Sequence, residues 1–512
     1  MRRPLPREVQ EMQLIYLAIT LLAILASMAD APLKAADAPP RPNIVILYAD
    51  DMGYGDLGAQ NPNSKIPTPN LDRLAREGTR FTDAHSSSGI CTTSRYAMLT
   101  GRFHWRKFHD IVNSFDPPVL DAAEFTLPEM LKTHGYRTAC IGKWHLGWNW
   151  DDIKRPGAVA KKGVGFAPDA FDWSKPISGG PLAHGFDYYF GDDVPNFPPY
   201  AWFENDRVIT PPTEPLTITP KTAEGNWEAR PGPMCKDWDF YAVIPRLTER
   251  TVDWIGEQRG REGPFFLYVP FNSPHAPIVP IEKFQGKSKA GGYGDFVVQT
   301  DDNVGRILRA LADNGFADNT LVIFSADNGP EHYAYERIRK FQHRSAGPLR
   351  GLKRDLWEGG HRVPFVVRWP GHVKAGAVSE ALVSQVDLLA TLAAAVGAEL
   401  SRDAAHDSYN QLPVWTEGAA SPRHTIVHNT TKSGYAIRHD QWLLVAAKAG
   451  GVSQVPEWFD RENGYAKNDQ PGELYDLSDD LPQKKNLYAQ QPNKVAELQT
   501  LLDEVRAKGQ VR

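Results

Sequence analysis

Asn43-Ile-Val-Ile-Leu-Tyr-Ala49 is followed at once by Asp50-Asp51-Met-Gly-Tyr-Gly55. A near-continuous apolar run of this length reads as a strand buried on both faces, as in parallel sheets covered by helices. Its abrupt end in two carboxylates recurs in kind further along the chain. A strand predicted over 136–141 ends in Gly142-Lys143-Trp144-His145. Another over 265–270 runs into Asn272-Ser-Pro-His275, and a fourth over 321–325 ends in Asp327-Asn328-Gly329. Between them lie helical patterns with recognisable starts and stops. Thr68-Pro69 opens a helix that Gly78 closes, Thr126-Leu-Pro128 opens one that Gly135 closes, and residues 295–311 form a third. Alternation of buried strands with amphipathic helices predicts an α/β fold, a large, mostly parallel sheet flanked by helices. In such sheets the ligand crevice lies beyond the carboxyl ends of the strands. Four strand ends bearing Asp50/Asp51, Lys143/His145, His275 and Asp327/Asn328 therefore converge on one face.

After Asn410 the pattern changes. Short strands over 424–428, 435–438 and 442–445 predict a smaller C-terminal antiparallel sheet. It is packed by a terminal helix over 495–508 whose stripe is Leu498, Leu501, Leu502 and Val505. The expected organisation is a signal peptide over 1–31, a linker over 32–42, a catalytic domain over 43–418 and a C-terminal subdomain over 419–512. The signal rests on Arg2, Arg3 and Arg7, an apolar run over 14–29 and the small-x-small pattern Ala29-Asp30-Ala31. It predicts export to the periplasm or beyond, with no stable membrane span after cleavage.

Composition narrows the function classes. The 512 residues are 41% apolar and 23% charged with a net charge of -5, which gives no support to a nucleic-acid partner. Three cysteines in an exported chain are too few for a disulfide framework. Cys140 reads as a buried thiol within a strand and Cys235 as a loop cysteine. Cys91 differs. It lies in Ser86-Ser-Ser-Gly-Ile-Cys91-Thr-Thr-Ser-Arg95, where a loop is predicted to turn into a helix near Thr93. A cysteine at a helix N-terminus is expected to have a depressed pKa and to be a candidate nucleophile. Asp50, Asp51 and Asp327 offer hard carboxylate oxygens and Asn328 an amide oxygen, a set suited to Ca²⁺ or Mg²⁺. Aromatic side chains gather between Trp148 and Tyr241, including Trp148, Trp150, Trp173, Tyr188, Tyr189, Tyr200, Trp202 and Trp238. They suit either sugar stacking or the core of an insertion.

Cys91-Thr-Thr-Ser-Arg95 with Leu99-Thr-Gly101-Arg102 resembles the signature of the type I sulfatases of the alkaline phosphatase superfamily. Further motifs of that family follow in order. They are Asp50-Asp51-Met-Gly-Tyr-Gly-Asp56, Gly142-Lys-Trp-His-Leu-Gly147, Gly185-Phe-Asp-Tyr-Tyr-Phe-Gly191, Ser273-Pro-His-Ala-Pro277, Ala326-Asp-Asn-Gly329, Gly351-Leu-Lys353, Trp357-Glu-Gly-Gly360 and Glu473-Leu-Tyr-Asp-Leu477. The match is most similar to the arylsulfatase A and N-acetylgalactosamine-6-sulfatase branch. The resemblance implies that a maturation enzyme converts Cys91 to formylglycine, and that Asp50, Asp51, Asp327, Asn328 and residue 91 hold one Ca²⁺. It implies hydrolysis of a sulfated glycan or aryl sulfate through a covalent sulfo-enzyme. Arg95 would steady residue 91, and Lys143, His145, His275 and Lys353 would surround the sulfate. His145 would be the base, and His275 or Lys353 the donor to the leaving oxygen. Glu358 and Arg102 read as structural ion-pair partners.

Two positions depart from the family pattern. Thr93 stands where Pro or Ala is usual, which predicts inefficient conversion of Cys91. The segment after Gly191 lacks the serine of the arylsulfatase A branch, leaving Asn196 as a replacement contact. Two rival readings are a phosphodiesterase or phosphonate monoester hydrolase, with His361 as an added transition-metal ligand, and a non-catalytic sulfoglycan-binding homologue.

Overall fold

Alternate residues of the first buried strand face two different cores. Ile44, Ile46 and Tyr48 pack with Phe266, Tyr268, Leu321 and Ile323 on one side, and Val45, Leu47 and Ala49 pack with Leu267, Val269, Val322 and Phe324 on the other. A strand covered on both faces has no use for polar side chains, which is why the run is apolar throughout. The computed structural model describes residues 6–29, 41–162, 165–217, 224, 229–401 and 403–509. Five parallel strands form the centre of a ten-stranded sheet: β1 (Asn43–Ala49), β2 (Arg137–Ile141), β3 (Tyr188–Gly191), β4 (Phe265–Pro270) and β5 (Thr320–Ala326), in the spatial order β5-β1-β4-β2-β3. Both flanks are antiparallel where they join this centre. Phe365–Arg368 pairs antiparallel with β5, and Phe203–Glu204 with β3. The sheet is thus mixed at its edges, built there from strands of two to four residues that carry no readable periodicity.

Helices cover both faces. Leu71, Leu74 and Ala75 of α2 (Pro69–Glu77; α1 is the N-terminal helix Arg7–Ala29) enter one core. Tyr96, Met98 and Leu99 of α3 (Cys91–Thr100) enter the other. Thr126 caps its helix as expected, in a reciprocal capping box with Glu129. Thr68 does not cap through its side chain. Its hydroxyl accepts from the Gly58 amide at 2.9 Å and donates to Asp72 at 3.1 Å instead.

The C-terminal sheet has four antiparallel strands, Thr425–Thr431, Gly434–His439, Trp442–Val445 and Glu473–Asp476. The sequence reading gave three, because Glu473–Asp476 follows a long irregular stretch. The terminal helix Pro492–Ala507 buries Leu498, Leu502 and Val505 against Ile426, Ile437, Leu444 and Leu474, with Leu501 partly buried beside them. Burial of side chains of this size contributes about 1.5–3 kcal/mol each.

The clustered aromatic residues prove to be largely core. Trp148 stacks on Phe203 at 5.3 Å and Trp202 on Phe190 at 5.2 Å, and Trp150, Trp173, Tyr189 and Tyr200 are also buried. Tyr188 and Trp238 are half-buried. Cys140 and Cys235 are both buried and free, the latter donating to the Thr210 carbonyl at 2.9 Å.

The chain divides into a unit up to Arg41 and a second from Pro42 onward. The described part of the first is α1, and no described helix is long and apolar enough to cross a membrane. The expected cleavage pattern and the linker up to Pro40 lie outside the described residues.

One buried group makes a stability prediction. His104 is fully buried, and its Nε2 lies 3.3 Å from Asn429 Oδ1. Burial pushes its pKa down to about 3. Below the unfolded pKa the unfolded chain binds a proton that the folded chain refuses, so stability falls as pH drops from about 6.5 toward 3. At pH 5 this costs about 2 kcal/mol relative to pH 8. A His104→Asn variant is expected to lack that component when denaturant midpoints are compared at the two pH values. Identical pH dependence in both proteins would refute it.

Candidate active site

Four of the five central strands deliver side chains from their ends to one buried cluster. β1 ends in Asp50 and Asp51, β5 in Asp327 and Asn328, β2 leads through Gly142 to Lys143 and His145, and β4 leads to His275. Gly142 is required where it stands. Its φ is 140°, and a Cβ there would lie 2.0 Å from the Pro270 carbonyl oxygen. That close approach lets the Lys143 amide donate to the same carbonyl at 2.8 Å, fixing the direction of the lysine. Asp51 and His145 both occupy the left-handed region, with φ of 63° and 56°. Strain of this kind in non-glycine residues concentrates at functional sites.

The charges interlock. Arg95 Nη2 lies 2.7 Å from Asp327 Oδ2 and 3.7 Å from Asp50 Oδ1. Lys143 Nζ lies 2.6 Å from Asp50 Oδ2, and Lys353 Nζ lies 2.7 Å from Asp51 Oδ1. Asn328 Nδ2 donates to Asp51 Oδ1 at 2.6 Å, and His275 Nε2 stands 3.6 Å from Asp51 Oδ2. Three carboxylates thus face three fixed cations, all buried. Glu331 adds an outer carboxylate 3.7 Å from Lys353 and in contact with Arg354 at 2.6 Å.

Cys91 is the first residue of α3, with Ile90 as its cap, so the helix begins two residues before the predicted turn. The Thr93 hydroxyl donates to the Ile90 carbonyl at 2.8 Å and ties that first turn. The expected low thiol pKa is not found. Burial pushes the Cys91 thiol up, outweighing the pull of Lys143 and Lys353. As an unmodified cysteine it is therefore a poor thiolate.

A cation fits between these groups. Asp50 Oδ1 and Asn328 Oδ1 are buried without a hydrogen-bond partner, and Asp50, Asp327 and Cys91 present atoms within 4.8 Å of one another. Orphaned hard oxygens from two carboxylate-bearing loops suit Ca²⁺ rather than an imidazole-seeking metal. Asp327 is itself raised above the usual carboxylate range by burial and by its neighbour Asp50.

The two histidines differ in their free nitrogen. His145 Nε2 donates to the Val112 carbonyl at 2.9 Å, leaving Nδ1 with its lone pair and no partner. Its pKa is held well below the usual value by burial and by the charges of Lys143 and Arg95. His275 Nδ1 donates to the Ala276 carbonyl, which leaves the lone pair on Nε2, and burial pushes its pKa down to about 3. A neutral His275 in this tautomer has no proton to give from Nε2.

Asp192 and Asp193, which follow β3, complete the wall. Asp193 Oδ1 accepts from the His145 amide at 3.2 Å, and Asp192 accepts from Asn272 at 2.6 Å. Burial raises them to about 6 and about 7 respectively. They too follow the end of a buried strand, but a four-residue strand with two tyrosines gives little signal in the sequence. Asn196 is buried on the same loop, and its carbonyl accepts from Tyr200 and the Arg230 amide. His361 stands apart from the acidic cluster, against His85 and His428. Glu358 pairs with Arg362 at 3.1 Å, and Arg102 lies 3.9 Å from Glu124, both as structural partners.

Residues 42–398 match the family model described as Sulfatase. The chain belongs to the sulfatase family, whose members are sulfuric ester hydrolases. An N-acetylgalactosamine-6-O-sulfatase of Bacteroides thetaiotaomicron is 32% identical over 510 residues, covering 91% of this chain and 94% of that protein. Arylsulfatase A of Bos taurus is 32% identical over 473 residues, covering 88% and 84%. A solved 6S-sulfatase from a study of glycosaminoglycan metabolism by Bacteroides thetaiotaomicron superposes with a TM-score of 0.76 at 31% identity, covering 91% of this chain and all of that one.

Proposed function

We propose that this sulfatase is exported and removes sulfate from a sulfated carbohydrate, with 6-O-sulfated N-acetylgalactosamine as its substrate unit. The observation that carries the chemistry is the buried set of three carboxylates and three cations around Cys91. The substrate unit rests on the name of the relative matching along nearly the whole chain.

Asp50, Asp51, Asp327, Asn328 and residue 91 would hold Ca²⁺, which would supply positive charge to the sulfate oxygens. As hydrated formylglycine, residue 91 would supply a hydroxyl for attack on sulfur and, by reverting to the aldehyde, a means of releasing sulfate. The remaining work falls to this chain's side chains. Lys143 and Lys353 are fixed charges aimed at the group on which negative charge spreads in the transition state, where preorganised electrostatics contributes most. Arg95 lies one helical turn beyond residue 91 and anchors Asp327. His145, neutral and with Nδ1 free, takes the proton of the second hydroxyl. The donor role at the leaving oxygen goes to Lys353 rather than His275. The Lys353 ammonium, 2.7 Å from Asp51, carries the protons that His275 Nε2 lacks in this tautomer. His275 serves as an acceptor that orients the sugar or a water.

The full chain, produced with a formylglycine-generating enzyme, is expected to release sulfate from 6-O-sulfated N-acetylgalactosamine. It should act on nitrophenyl sulfate at least about 100-fold faster than on the matching phosphate diester. Faster diester turnover would overturn the reading in favour of a phosphodiesterase. Tight binding of sulfated sugar by fully converted protein without turnover would overturn it in favour of a binding homologue.

A further inference from the structure

We propose that Arg354 is a specificity residue at the mouth of the active site, taking a second anionic group of the substrate, a carboxylate or sulfate carried beside the sulfate being cleaved. The inference rests on the functional reading above and deepens it, since the substrate is then a glycan with at least two negative groups. Arg354 follows directly on Lys353, the group assigned to the leaving oxygen. Its amide donates to the Gly89 carbonyl at 2.8 Å, which ties it to the loop that leads into Cys91. Both cationic side chains reach one carboxyl group. Lys353 Nζ lies 3.7 Å from Glu331 Oε2, and Arg354 Nη1 lies 2.6 Å from Glu331 Oε1. The guanidinium therefore stands a short step from the leaving-group side of the site. The two differ in exposure. The Lys353 side chain is 2% exposed and that of Arg354 is 40% exposed.

An arginine this exposed is ordinarily a mobile, solvated charge, and its ion pairs contribute little. Arg354 is held in place. Glu331 is buried, and its Oε1 also accepts from the His332 amide and faces His332 Nδ1, both at 2.9 Å. A carboxylate fixed in this way grips the guanidinium by one corner. Among the described residues the Arg354 side chain makes no other hydrogen bond, so Nε and Nη2 are left open. Those two nitrogens form the fork that takes a carboxylate or sulfate through two parallel bonds. Holding the fork before the substrate arrives removes part of the ordering cost of binding.

The backbone points the same way. Arg354 has a φ of 78°, unfavourable for any residue with a Cβ, and such strain persists where the surrounding structure imposes it. Here the Gly89 hydrogen bond and the Glu331 pair impose it. Nor does Glu331 cancel the guanidinium, because the one carboxylate is shared between Arg354, Lys353 and His332. A positive charge remains at the mouth. The scissile sulfate is bound deeper, among Lys143, Lys353 and residue 91, all of them buried. An anion at Arg354 is thus a separate substituent, on the same sugar or on its neighbour.

The test compares two pairs of substrates on fully converted, full-length protein. One pair is N-acetylgalactosamine 6-sulfate and its 4,6-disulfate. The other is a 6-sulfated disaccharide with a neighbouring uronic acid and the same disaccharide with that carboxyl group reduced to an alcohol. Wild-type protein is expected to favour the more anionic member of one pair by about 10-fold in kcat/KM, through KM. That preference should shrink as salt rises. Arg354→Met should abolish it, and Arg354→Lys, which keeps the charge without the fork, should retain part. Each ratio is read within one protein, so a general loss of activity cancels. The pair whose preference disappears says whether the anion is a carboxylate or a second sulfate. No preference in either pair, or one that persists in Arg354→Met, overturns the proposal. If Arg354→Met does not fold, Arg354→Lys and the wild-type salt profile decide. If no sulfate ester is turned over, the functional reading fails by itself, and calorimetric binding of the same pairs decides this proposal by the same ratios.

Discussion

Cys91→Ala is expected to lower turnover of nitrophenyl sulfate by at least about 10⁴-fold, because no other group in the cluster can take over covalent chemistry. Folding should survive. The change removes one sulfur atom from a fully buried position at the start of α3, and the charge pairs of Asp50, Asp327 and Arg95 do not depend on it. Peptide mass spectrometry across residues 86–102 of active wild-type enzyme should show an aldehyde in place of the thiol. Because burial pushes the Cys91 thiol up, a direct thiolate mechanism predicts activity rising steeply at alkaline pH. Formylglycine chemistry predicts no such rise. An active enzyme whose residue 91 remains a thiol would sink the proposed mechanism.

Lys353→Met should have the second largest effect, in two separable parts. Loss of a fixed charge aimed at the sulfate should cost about 10²–10³-fold in kcat. Asp51, fully buried and 2.7 Å from Lys353, would lose its counter-charge. Removing one partner of a buried pair costs about 3–5 kcal/mol of stability. Calcium provides the way to separate the parts. If Asp51 is one of its ligands, saturating Ca²⁺ should shrink the stability loss while leaving the kcat loss in place. Denaturant midpoints with and without Ca²⁺ measure this, and an equal loss in both conditions would remove Asp51 from the proposed ligand set.

The parts of the site that were legible in the sequence are those where strand and function share a boundary. β1, β4 and β5 must be apolar because both faces are covered, so the first ionisable residue after each marks the sheet's carboxyl end. Asp50, His275 and Asp327 stand out for that reason. What could not be read has a physical cause in each instance. Asp192 and Asp193 follow a strand too short to show a period. The antiparallel edges consist of a few residues each, placed by tertiary pairing rather than by local preference. Burial of α3 on all sides reverses the effect of its N-terminus on Cys91, and a ten-residue segment does not reveal how deeply it lies.

The strand order also sets a clock. β1 pairs with β4 and β5, so the centre of the sheet cannot assemble until Ala326 has been made. About 230 residues separate Cys91 from β5, or about 10–50 s of synthesis at roughly 5–20 residues per second. If residue 91 is modified as proposed, that interval is when an enzyme could reach the thiol, because in the folded chain it is fully enclosed. Maturation and folding would then compete for the same residue, and Thr93, by slowing the first, would lengthen the time the chain must wait. A variant that folds faster should accumulate as stable, permanently unconverted protein.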